Sequence, residues 1–394
     1  GLAAAIAALR PGDVLCLRDG TYTESITPAT NGTASAPITI KALNDGKAII
    51  DGHGVRRPVQ LGTNNQAYGD WFIIEGLVLR NGTDAVLHVR ADNNVIRRVS
   101  VYDGDPDLNT AMLLLWGSNN TVEDCIVGGT GRIGIDVFGG GGVNATGNTV
   151  RRCFVQWGRW EARSFCGIQW PGAFGITAYN SDGGTYENNI VYGRAVAGIL
   201  VQANTTTASA SNNHVLGNIV ALMGKDYDGS LWHYGSPTWP VMTRPQPTSC
   251  TVNIDWSWPQ QRVGIQLFGQ GTLANNIFRD NVVADNATVG FGMLNPGGGQ
   301  YSGNVLDRFT LLDNGSDAPA TDGGRGSQMR LLSGMTAASV TDTCISPKPA
   351  GWTNGGGARL DLLPWPMRDR ALAELGVDVE AIAQEYIARA EACR

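Results

Sequence analysis

An eight-residue pattern of hydrophobic and polar positions recurs along most of the chain. Its third and eighth residues are hydrophobic, and successive copies lie 23 to 63 residues apart. The copies read NVIRRVSV at 94–101, NTVEDCIV at 120–127, NTVRRCFV at 148–155, GTYENNIV at 184–191, NHVLGNIV at 213–220, NIFRDNVV at 276–283 and GQYSGNVL at 299–306. Repetition of this kind indicates stacked, similar units, and we interpret the longer spacings as insertions.

A second hydrophobic segment precedes each copy of the pattern. The segments are LHVRA at 87–91, LLLWG at 113–117, IDVFG at 135–139, ITAYN at 176–180, ILVQA at 199–203, IQLFG at 265–269 and FGMLN at 291–295. Their first and third residues are mostly aliphatic, which is the alternation of a β-strand with one buried face. The second and fourth residues are therefore predicted to point away from the core.

The sixth position of the pattern predicts how the units stack. It holds cysteine or asparagine in most copies, namely Cys125, Cys153, Asn189, Asn218, Asn281 and Asn304. Equivalent residues in stacked strands lie about 4.8 Å apart. Asparagine amides at that distance can hydrogen-bond to one another and hold the same bend in every unit.

The pattern, the asparagine ladder and the unit length resemble the pectate-lyase-like superfamily of right-handed parallel β-helices, over residues 35–315. The short apolar segment LAAAIAAL at 2–9 resembles the helix that caps such a solenoid. We predict an all-β, single-stranded right-handed parallel β-helix over 1–316, with long loops at 156–173 and 221–262. Residues 317–394 are predicted to be a C-terminal extension of loop and helix, with the helix within 366–393. An antiparallel sandwich would not explain seven repeats in register.

Composition and charge exclude several classes of function. The net charge is −6 with only four lysines, which argues against a nucleic-acid partner. The hydrophobic runs are too short to span a membrane. The seven cysteines show no metal-binding spacing. Few lysines and many Asn, Thr, Gly and Trp residues favour a secreted protein, extracellular or periplasmic, which we expect to be monomeric.

The outward positions of the second segment carry the candidate ligand-binding residues. Aromatic side chains recur there, and flat rings suit the apolar faces of sugars. The alternative is that overlying loops cover these rings. The candidate substrate-binding residues on this face are His88, Arg90, Trp116, Phe138, Tyr179, Gln266 and Phe268.

Three long insertions follow the eighth position of the pattern, at 102–110, 156–173 and 221–262. All three are predicted to leave one edge of the solenoid and to lead into the aromatic strand face. Insertions grouped on one face usually build a binding site. The longer two are rich in aromatic residues, which alternatively form a small core of their own. Arg159, Trp160, Trp232 and Tyr234 are the candidate substrate-binding residues within them.

The resemblance implies cation-assisted β-elimination on a polysaccharide that contains uronic acids. Lys225 is the only lysine in the candidate groove, and lysine or arginine is the base in many β-helix lyases. Arg163 can hold a substrate carboxylate, and His233 and Glu161 complete the ionisable residues of the loops. Calcium takes about 6–8 oxygen ligands, and its candidate ligands are Asp103, Asp105, Asp107, Asp226 and Asp228.

Glycoside hydrolysis is the alternative chemistry, because it needs two carboxyl groups about 5–9.5 Å apart. Asp136 faces outward, and Glu161 or Asp226 would face it. The sequence nevertheless lacks the NTD, DD and RIK motifs of β-helix pectin hydrolases. It also lacks the DPHD motif of alginate epimerases and the WIDH motif of well-known pectate lyases. A third possibility is a solenoid that binds carbohydrate or mediates adhesion without catalysis.

The cysteines suggest several crosslinks. Cys125 and Cys153 occupy the same position in neighbouring units and are either a disulfide or stacked thiols. Cys166 and Cys250 lie in the two large loops and are candidates for a bridge between them. A Cys344–Cys393 bridge would fix the C-terminal extension to the solenoid, and Cys16 is predicted to be buried and unpaired.

Overall fold

The computed structural model describes residues 1–63, 68–105, 110–140, 145–159, 174–193, 197–223, 263–294, 298–315, 327–331 and 339–394. Within these residues the chain winds into a right-handed parallel β-helix, whose strands form three long sheets. The predicted fold class is confirmed. We call one turn of this solenoid a coil.

Sheet A contains the second to fourth positions of the repeated pattern and has eleven strands within the described residues. Ile96, Val122 and Val150, at the third position, pair in register and are fully buried. The strands are β1 (Val14–Leu17), β3 (Ile38–Ala42), β6 (Phe72–Glu75), β9 (Val95–Arg97), β12 (Thr121–Glu123), β15 (Thr149–Arg151), β18 (Thr185–Glu187), β21 (His214–Leu216), β25 (Ile277–Arg279), β29 (Val305–Asp307) and β32 (Val340–Thr341).

Sheet B follows sheet A in each coil and begins at the seventh position of the pattern. Val101 and Val127, at the eighth position, pair in register, as the repeat predicts. The strands described are β2 (Gly20–Tyr22), β4 (Ala48–Asp51), β7 (Val78–Arg80), β10 (Ser100–Tyr102), β13 (Ile126–Thr130), β16 (Phe154–Arg159), β19 (Ile190–Tyr192), β22 (Ile219–Ala221), β26 (Val282–Ala284), β30 (Thr310–Leu312) and β33 (Cys344–Ser346).

Sheet C is formed by the second hydrophobic segment and lies between sheet B of one coil and sheet A of the next. Its described strands are β5 (Val59–Leu61), β8 (Leu87–Val89), β11 (Ala111–Leu115), β14 (Ile133–Phe138), β17 (Phe174–Tyr179), β20 (Ala197–Ala203), β23 (Val263–Gly269), β27 (Val289–Leu294) and β31 (Ser327–Arg330). A small additional sheet pairs β24 (Thr272–Ala274) with β28 (Gln300–Ser302).

The last copy of the pattern is displaced from its predicted position. Val305 pairs with Ile277 and Leu306 with Phe278, so the copy in register is NVLDRFTL at 304–311 rather than GQYSGNVL at 299–306. Both segments have hydrophobic residues at their third and eighth positions, and Leu306 belongs to both. The pattern alone therefore fits either register.

Stacked asparagines line the bends. The predicted ladder at the sixth position is confirmed for Asn189, Asn218 and Asn281. The side-chain amide of Asn189 donates to Oδ1 of Asn218 at 3.0 Å, and that of Asn218 donates to Oδ1 of Asn281 at 2.9 Å. Asn304 belongs instead to a ladder at the first position, because of the register change. That ladder includes Asn94, Asn120, Asn148, Asn213, Asn276 and Asn304. A third ladder joins Asn286, Asn314 and Gln328.

The corner between sheets B and C is tight. Two consecutive residues, such as Met112 and Leu113, face the core where sheet C begins. In five later coils the first of these two positions is glycine, at Gly134, Gly175, Gly198, Gly264 and Gly290. A Cβ atom on Gly198 would lie 2.2 Å from Val220 and 2.8 Å from the carbonyl oxygen of Gly264. Glycine thus allows the strands to approach at this corner.

A short helix covers the N-terminal end of the solenoid. Helix α1 (Leu2–Ala8) buries Leu2 and Ile6 in the core that runs through the coils. This agrees with the predicted capping helix. Cys16, in contrast, is exposed, so its predicted burial is wrong. It lies between Leu15 and Leu17, which face the core, and strand alternation therefore directs it outward.

The three sheets each gain one strand beyond residue 316, namely β31, β32 and β33. The division of the chain at 316 therefore stays a prediction. The helical tail is present and consists of two helices, α2 (Arg368–Leu375) and α3 (Val379–Cys393). They are separated because Gly376 adopts a left-handed conformation with φ of 67°. No helix in the described ranges is long and apolar enough to cross a membrane.

The tail packs against the outer face of sheet B. Ile126, Phe154 and Ile190 of that face form one buried cluster with residues of α2 and α3, including Ala383 and Tyr386. The Cys344–Cys393 disulfide joins the end of α3 to strand β33, as predicted. Cys125 and Cys153 are buried free thiols, which answers the question that the sequence left open.

Candidate functional site

The outer face of sheet C carries the candidate residues, on the side of the solenoid where the tail does not pack. Ile135 and Val137 belong to the interior core, whereas Asp136 and Phe138 alternate with them and point outward. Strand pairing aligns one outward column, which consists of Gln60, His88, Leu114, Asp136, Thr177, Leu200, Gln266 and Gly292. The second column includes Phe138, Tyr179, Gln202 and Phe268.

A row of rings crosses successive coils on this face. His88 stacks on Trp116 with ring centroids 6.0 Å apart, and Trp116 meets Phe138 edge-on at 5.1 Å. Phe138 then stacks on Tyr179 at 5.0 Å. The guanidinium of Arg90 lies 3.7 Å above the Trp116 ring. The structure therefore places these side chains together as alternation predicts, while their role in binding stays a prediction.

Asp136 is an outward-facing carboxylate that is nevertheless buried, with 6% of its surface exposed. It accepts a hydrogen bond from the hydroxyl of Thr177 in the next coil. Burial raises the pKa of Asp136 to about 6, although Thr177 and the nearby charge of Arg132 act in the opposite direction. A carboxyl group with this pKa can exchange a proton near neutral pH.

Arg132 and Tyr179 lie in the electrostatic environment of Asp136. Burial lowers the pKa of Arg132, and the carboxylate of Asp136 opposes that effect. Burial followed by the charge of Asp136 raises the pKa of Tyr179. The Tyr179 hydroxyl oxygen accepts a hydrogen bond from the side-chain amide of Asn204. An acid–base group, a cation and a phenol thus share one region of the face.

A second polar cluster surrounds His88, two coils before Asp136. His88 is 2% exposed, and its Nε2 atom accepts a hydrogen bond of 3.1 Å from Nε of Arg90. Arg57 forms an ion pair with Asp84 and donates to Gln60 at 3.0 Å. Burial, followed by the charges of Arg57 and Arg90, lowers the pKa of His88 to about 3. The histidine is therefore neutral at physiological pH.

The three predicted insertions start and end at the same corner of the solenoid. They connect β10 to β11, β16 to β17 and β22 to β23, so each joins sheet B to sheet C. Most of the inserted residues lie outside the described ranges. Those outside include the candidates Lys225, Glu161, Arg163, His233, Trp160, Trp232, Tyr234, Asp107, Asp226 and Asp228, together with Cys166 and Cys250; of Arg159 only the backbone is described.

Two of the predicted calcium ligands are described, Asp103 and Asp105. Asp103 is buried, and Asp105 accepts a hydrogen bond of 3.4 Å from Thr83. Among the residues that the structure describes, no group of three or more His, Cys, Asp or Glu side chains is arranged to hold a metal ion. These two carboxylates do not by themselves provide the oxygen ligands that calcium requires.

Several residues of the face are not marked by the alternating pattern of the sequence, among them Arg132, Arg57, Asp84 and Asn204. Arg132 immediately precedes β14, and the alternation of that strand does not extend through the corner residue Gly134. Arg57 lies two residues before β5, and Asp84 lies three residues before β8. Their closeness to His88 depends on the path of the corner, which a period of two residues does not describe.

Comparison with known proteins supports this description of the fold. The family model described as "Right handed beta helix region" matches residues 48–232. Among solved structures, the chain is similar to pectate lyase Pel9A, with a TM-score of 0.51 and 17% identity over 90% of this chain and 76% of that chain. It is also similar to an alginate lyase from Paenibacillus sp. strain FPU-7, with a TM-score of 0.49 and 16% identity over 86% and 95% of the two chains. No curated protein matches the sequence.

The parallel sheets and the similarity to pectate lyase Pel9A define the fold class. The chain is a right-handed parallel β-helix protein with the architecture of pectate lyase Pel9A, and the resemblance expected from the sequence is confirmed for the fold. At 17% identity the similarity establishes the fold alone.

Proposed function

We propose that the protein is a carbohydrate-active enzyme that binds an extended polysaccharide along the outer face of sheet C and cleaves it by β-elimination. The observation that supports this most directly is the row of rings from His88 to Tyr179 beside two ionisable groups, the buried Asp136 and the partly buried Arg132. Aromatic side chains can pack against the apolar parts of sugars, and a proton-transfer group next to a cation would provide the chemistry.

The direction of the row favours a long ligand. Its rings belong to four successive coils, which span about 14 Å at the usual strand spacing. A sugar residue in an extended chain is about as long as one strand spacing. A polysaccharide that runs parallel to the solenoid axis would therefore place successive residues over successive coils.

β-Elimination of a uronic acid transfers the C5 proton next to the carboxylate to a base, forms a C4–C5 double bond and breaks the bond from C4 to the glycosidic oxygen. The departing oxygen takes up a proton from solvent. Asp136, with its pKa near 6, is mostly ionised at neutral pH and is a candidate proton acceptor. The positive charge of Arg132 would stabilise the negative charge that develops on the substrate carboxylate. Lys225, Glu161, Arg163 and His233 lie outside the described residues and stay predicted participants.

Calcium assistance is also a prediction. The described carboxylates do not form a metal site, and no step above uses a metal ion. If Asp226 and Asp228 bind calcium, treatment with EDTA should abolish cleavage and added Ca²⁺ should restore it.

The test of the proposed function is a panel of acidic polysaccharides, including polygalacturonate and alginate. We expect ultraviolet absorbance from the unsaturated product, and we expect Asp136→Asn to lower kcat by about 100-fold or more. Asp361→Asn, which changes an exposed carboxylate that precedes α2, serves as the control and should retain activity. Retention of full activity by Asp136→Asn would contradict its assignment.

Hydrolysis remains the second candidate, and the raised pKa of Asp136 is the observation that favours it. A carboxylic acid with a raised pKa is the usual general acid of glycosidases. New reducing ends without an unsaturated product would identify this reaction. Binding of a polymer without any cleavage would instead support a carbohydrate-binding or adhesion protein.

We also infer that the protein is secreted, to an extracellular or periplasmic location. The Cys344–Cys393 disulfide supports an oxidising compartment. A monomeric state is expected and can be tested by light scattering.

A further inference from the structure

The outer face of sheet A carries a column of charged side chains whose sign changes from coil to coil. Residues at the fourth position of the pattern alternate with buried core residues and point outward. Strand pairing aligns them, together with two residues of the first coils, in the order Lys41, Glu75, Arg97, Glu123, Arg151, Glu187, Leu216, Arg279 and Asp307. The sign alternates without exception from Lys41 to Glu187 and again between Arg279 and Asp307. Neighbouring charged strands therefore always carry opposite charges.

A second column beside the first repeats this alternation. The residue that follows the strand lies in the left-handed region, with φ of 54° at Arg98 and 53° at Asp124. Its backbone N–H donates to the next coil, from Arg98 to the carbonyl oxygen of Glu123 and from Asp124 to that of Arg151. Successive coils thus carry two charges of one sign, in the pairs Arg97 with Arg98, Glu123 with Asp124, and Arg151 with Arg152. The middle coil of this set is opposite in charge to both of its neighbours.

Ion pairs on this face join adjacent coils. The pairs are Arg97 with Glu75 at 2.8 Å, Arg151 with Glu123 at 2.6 Å, Arg152 with Asp124 at 2.6 Å and Arg279 with Asp307 at 2.9 Å. The arginine side chains in them are between 36% and 43% exposed, and ion pairs at a surface add little to stability individually. Their regular alternation therefore bears more on which coils become neighbours than on how stable the finished solenoid is.

The core and the asparagine ladder do not distinguish one coil from the next. Val122 and Val150 occupy the same interior position, and both are fully buried. The side-chain oxygens of Asn120 and Asn148 each accept a hydrogen bond of 2.9 Å from the backbone N–H of the asparagine one coil earlier. A strand could therefore pair with the strand two coils away and leave the intervening coil extruded, while the core and ladder contacts are kept.

Skipping one coil would bring like charges together, because the sign repeats at every second coil. If the coil of Glu123 were extruded, Arg97 and Arg98 would lie against Arg151 and Arg152. Like charges directly opposite each other in neighbouring strands are destabilising, and the penalty is summed over both columns. We propose that the alternating charges on the outer face of sheet A select the order of the coils during folding, since each strand attracts the next strand and repels the one after it.

The alternation is interrupted at one coil, where the segment that leads into the C-terminal helices passes beside the sheet. Leu216 and Gly217 stand in place of the charged residues there. A Cβ atom on Gly217 would lie 3.9 Å from Leu360, and the backbone N–H of Arg359 donates to Asp280 in the following coil at 3.1 Å. A charged side chain would be covered by this segment, which accounts for the uncharged coil.

Two buried thiols report on the order of the coils. Cys125 lies two residues after Glu123 and Cys153 two residues after Arg151, and both are fully buried free thiols. Extrusion of the Glu123 coil would expose Cys125, while Cys153 would remain packed in the core. Global unfolding would expose both thiols. The ratio of labelling at the two cysteines therefore separates a skipped coil from an unfolded protein.

The experiment exchanges two charges without changing the net charge. Glu123→Arg combined with Arg151→Glu places like charges at positions 97 and 123 and opposite charges at positions 97 and 151, so that the skipped order is favoured. The protein is refolded from urea without reductant, alkylated with iodoacetamide and analysed by peptide mass spectrometry. We expect labelling of Cys125 to rise about 10-fold over the wild-type protein while Cys153 stays protected, because several cross-strand contacts change sign together. In about 1 M NaCl, where the screening length is about 3 Å, the difference should shrink to less than about 3-fold.

Glu123→Asp combined with Arg151→Lys is the matched control, because it alters the geometry of the ion pair and keeps both signs. Its thiols should label like those of the wild-type protein. Equal labelling of Cys125 in the exchanged variant and the wild-type protein would overturn the proposal. Equal labelling in the exchanged variant and the control would overturn it as well.

A neutral variant decides the case in which the exchanged variant labels both cysteines and has therefore unfolded. Glu123→Gln combined with Arg151→Gln removes both the attraction to the next coil and the repulsion from the coil after it. We expect its Cys125 to label about 3-fold more than in the wild-type protein, with Cys153 protected. Labelling of Cys125 at the wild-type level, or equal labelling of the two cysteines, would contradict the selection of coil order by charge.

Discussion

At the scale of the residue, the outer face of sheet C shows how burial changes chemistry. Asp136 and His88 share one column, and burial favours the neutral form of both. For the carboxyl group this raises the pKa toward neutrality, whereas for the imidazole it lowers the pKa far below neutrality. Asp136 is therefore suited to proton transfer, while His88 is suited to donating a fixed hydrogen bond.

The pKa of Asp136 predicts the pH dependence of both activity and stability. If Asp136 accepts a proton, kcat/KM should rise tenfold per pH unit below about 6 and level off above it. If it acts instead as a general acid, the rate should fall above that pH. The pH–rate profile of initial cleavage therefore separates elimination from hydrolysis, and a profile without a transition near pH 6 would contradict both roles.

Deprotonation of Asp136 should lower the free energy of unfolding, whereas deprotonation of a carboxyl group in an ion pair raises it. The folded protein binds the proton of Asp136 more tightly than the unfolded chain does, so the free energy of unfolding should fall as pH rises from about 4 to about 6. At about 1.4 kcal/mol per pKa unit the loss amounts to a few kcal/mol. Asp136→Asn should remove this part of the pH dependence, which thermal unfolding at several pH values would measure.

At the scale of the element, the sequence predicts the strands well and the corners poorly. Alternation placed Trp116, Phe138 and Tyr179 on one outward face, because side chains on successive strand residues point in opposite directions. It missed Arg132 and Arg57, since two consecutive residues face the core at the corner between sheets B and C. It also misplaced the copy at 299–306, because Leu306 fits the pattern in two registers.

Replacing a glycine at the corner between sheets B and C should lower stability more than replacing a glycine elsewhere on sheet C. A Cβ atom at Gly198 would meet Val220 at 2.2 Å and a backbone oxygen at 2.8 Å, and backbone cannot move as a flexible side chain does. We expect Gly198→Ala to lower stability by about 1–3 kcal/mol through overpacking. Midpoints of thermal unfolding, followed by circular dichroism, would measure the effect.

Gly292→Ala is the matched control for that substitution. Gly292 lies in the outward column of sheet C, and its Cβ would come no closer than 3.3 Å to a valine methyl group. It should therefore unfold within a few degrees of the wild-type protein. If the two variants unfold at the same temperature, steric crowding does not explain the column of glycines.

At the scale of the whole molecule, the solenoid separates two of its outer faces by role. Sheet B is covered by the C-terminal tail, which buries hydrophobic residues that would otherwise be exposed. Ion pairs at the rim hold the tail, among them Arg389 with Asp285 at 2.5 Å and Arg370 with Asp45 at 3.4 Å. Sheet C, on another side, carries the candidate site. The tail thus stabilises the solenoid, and its helices do not belong to the outer face of sheet C.

This division predicts that the tail can be loosened without loss of the site. The Cys344–Cys393 bridge closes a loop with a sequence separation of 49, and the chain-entropy account gives such a crosslink about 4 kcal/mol. Cys393→Ser should therefore lower the unfolding temperature and increase amide hydrogen exchange in α2, α3 and the outer residues of sheet B. Cys16→Ser, which removes an exposed thiol that forms no bridge, is the control. Ligand affinity and cleavage should be equal in the two variants at a temperature where both are folded. A selective loss of binding in Cys393→Ser would show instead that the tail and the outer face of sheet C are coupled through the coils.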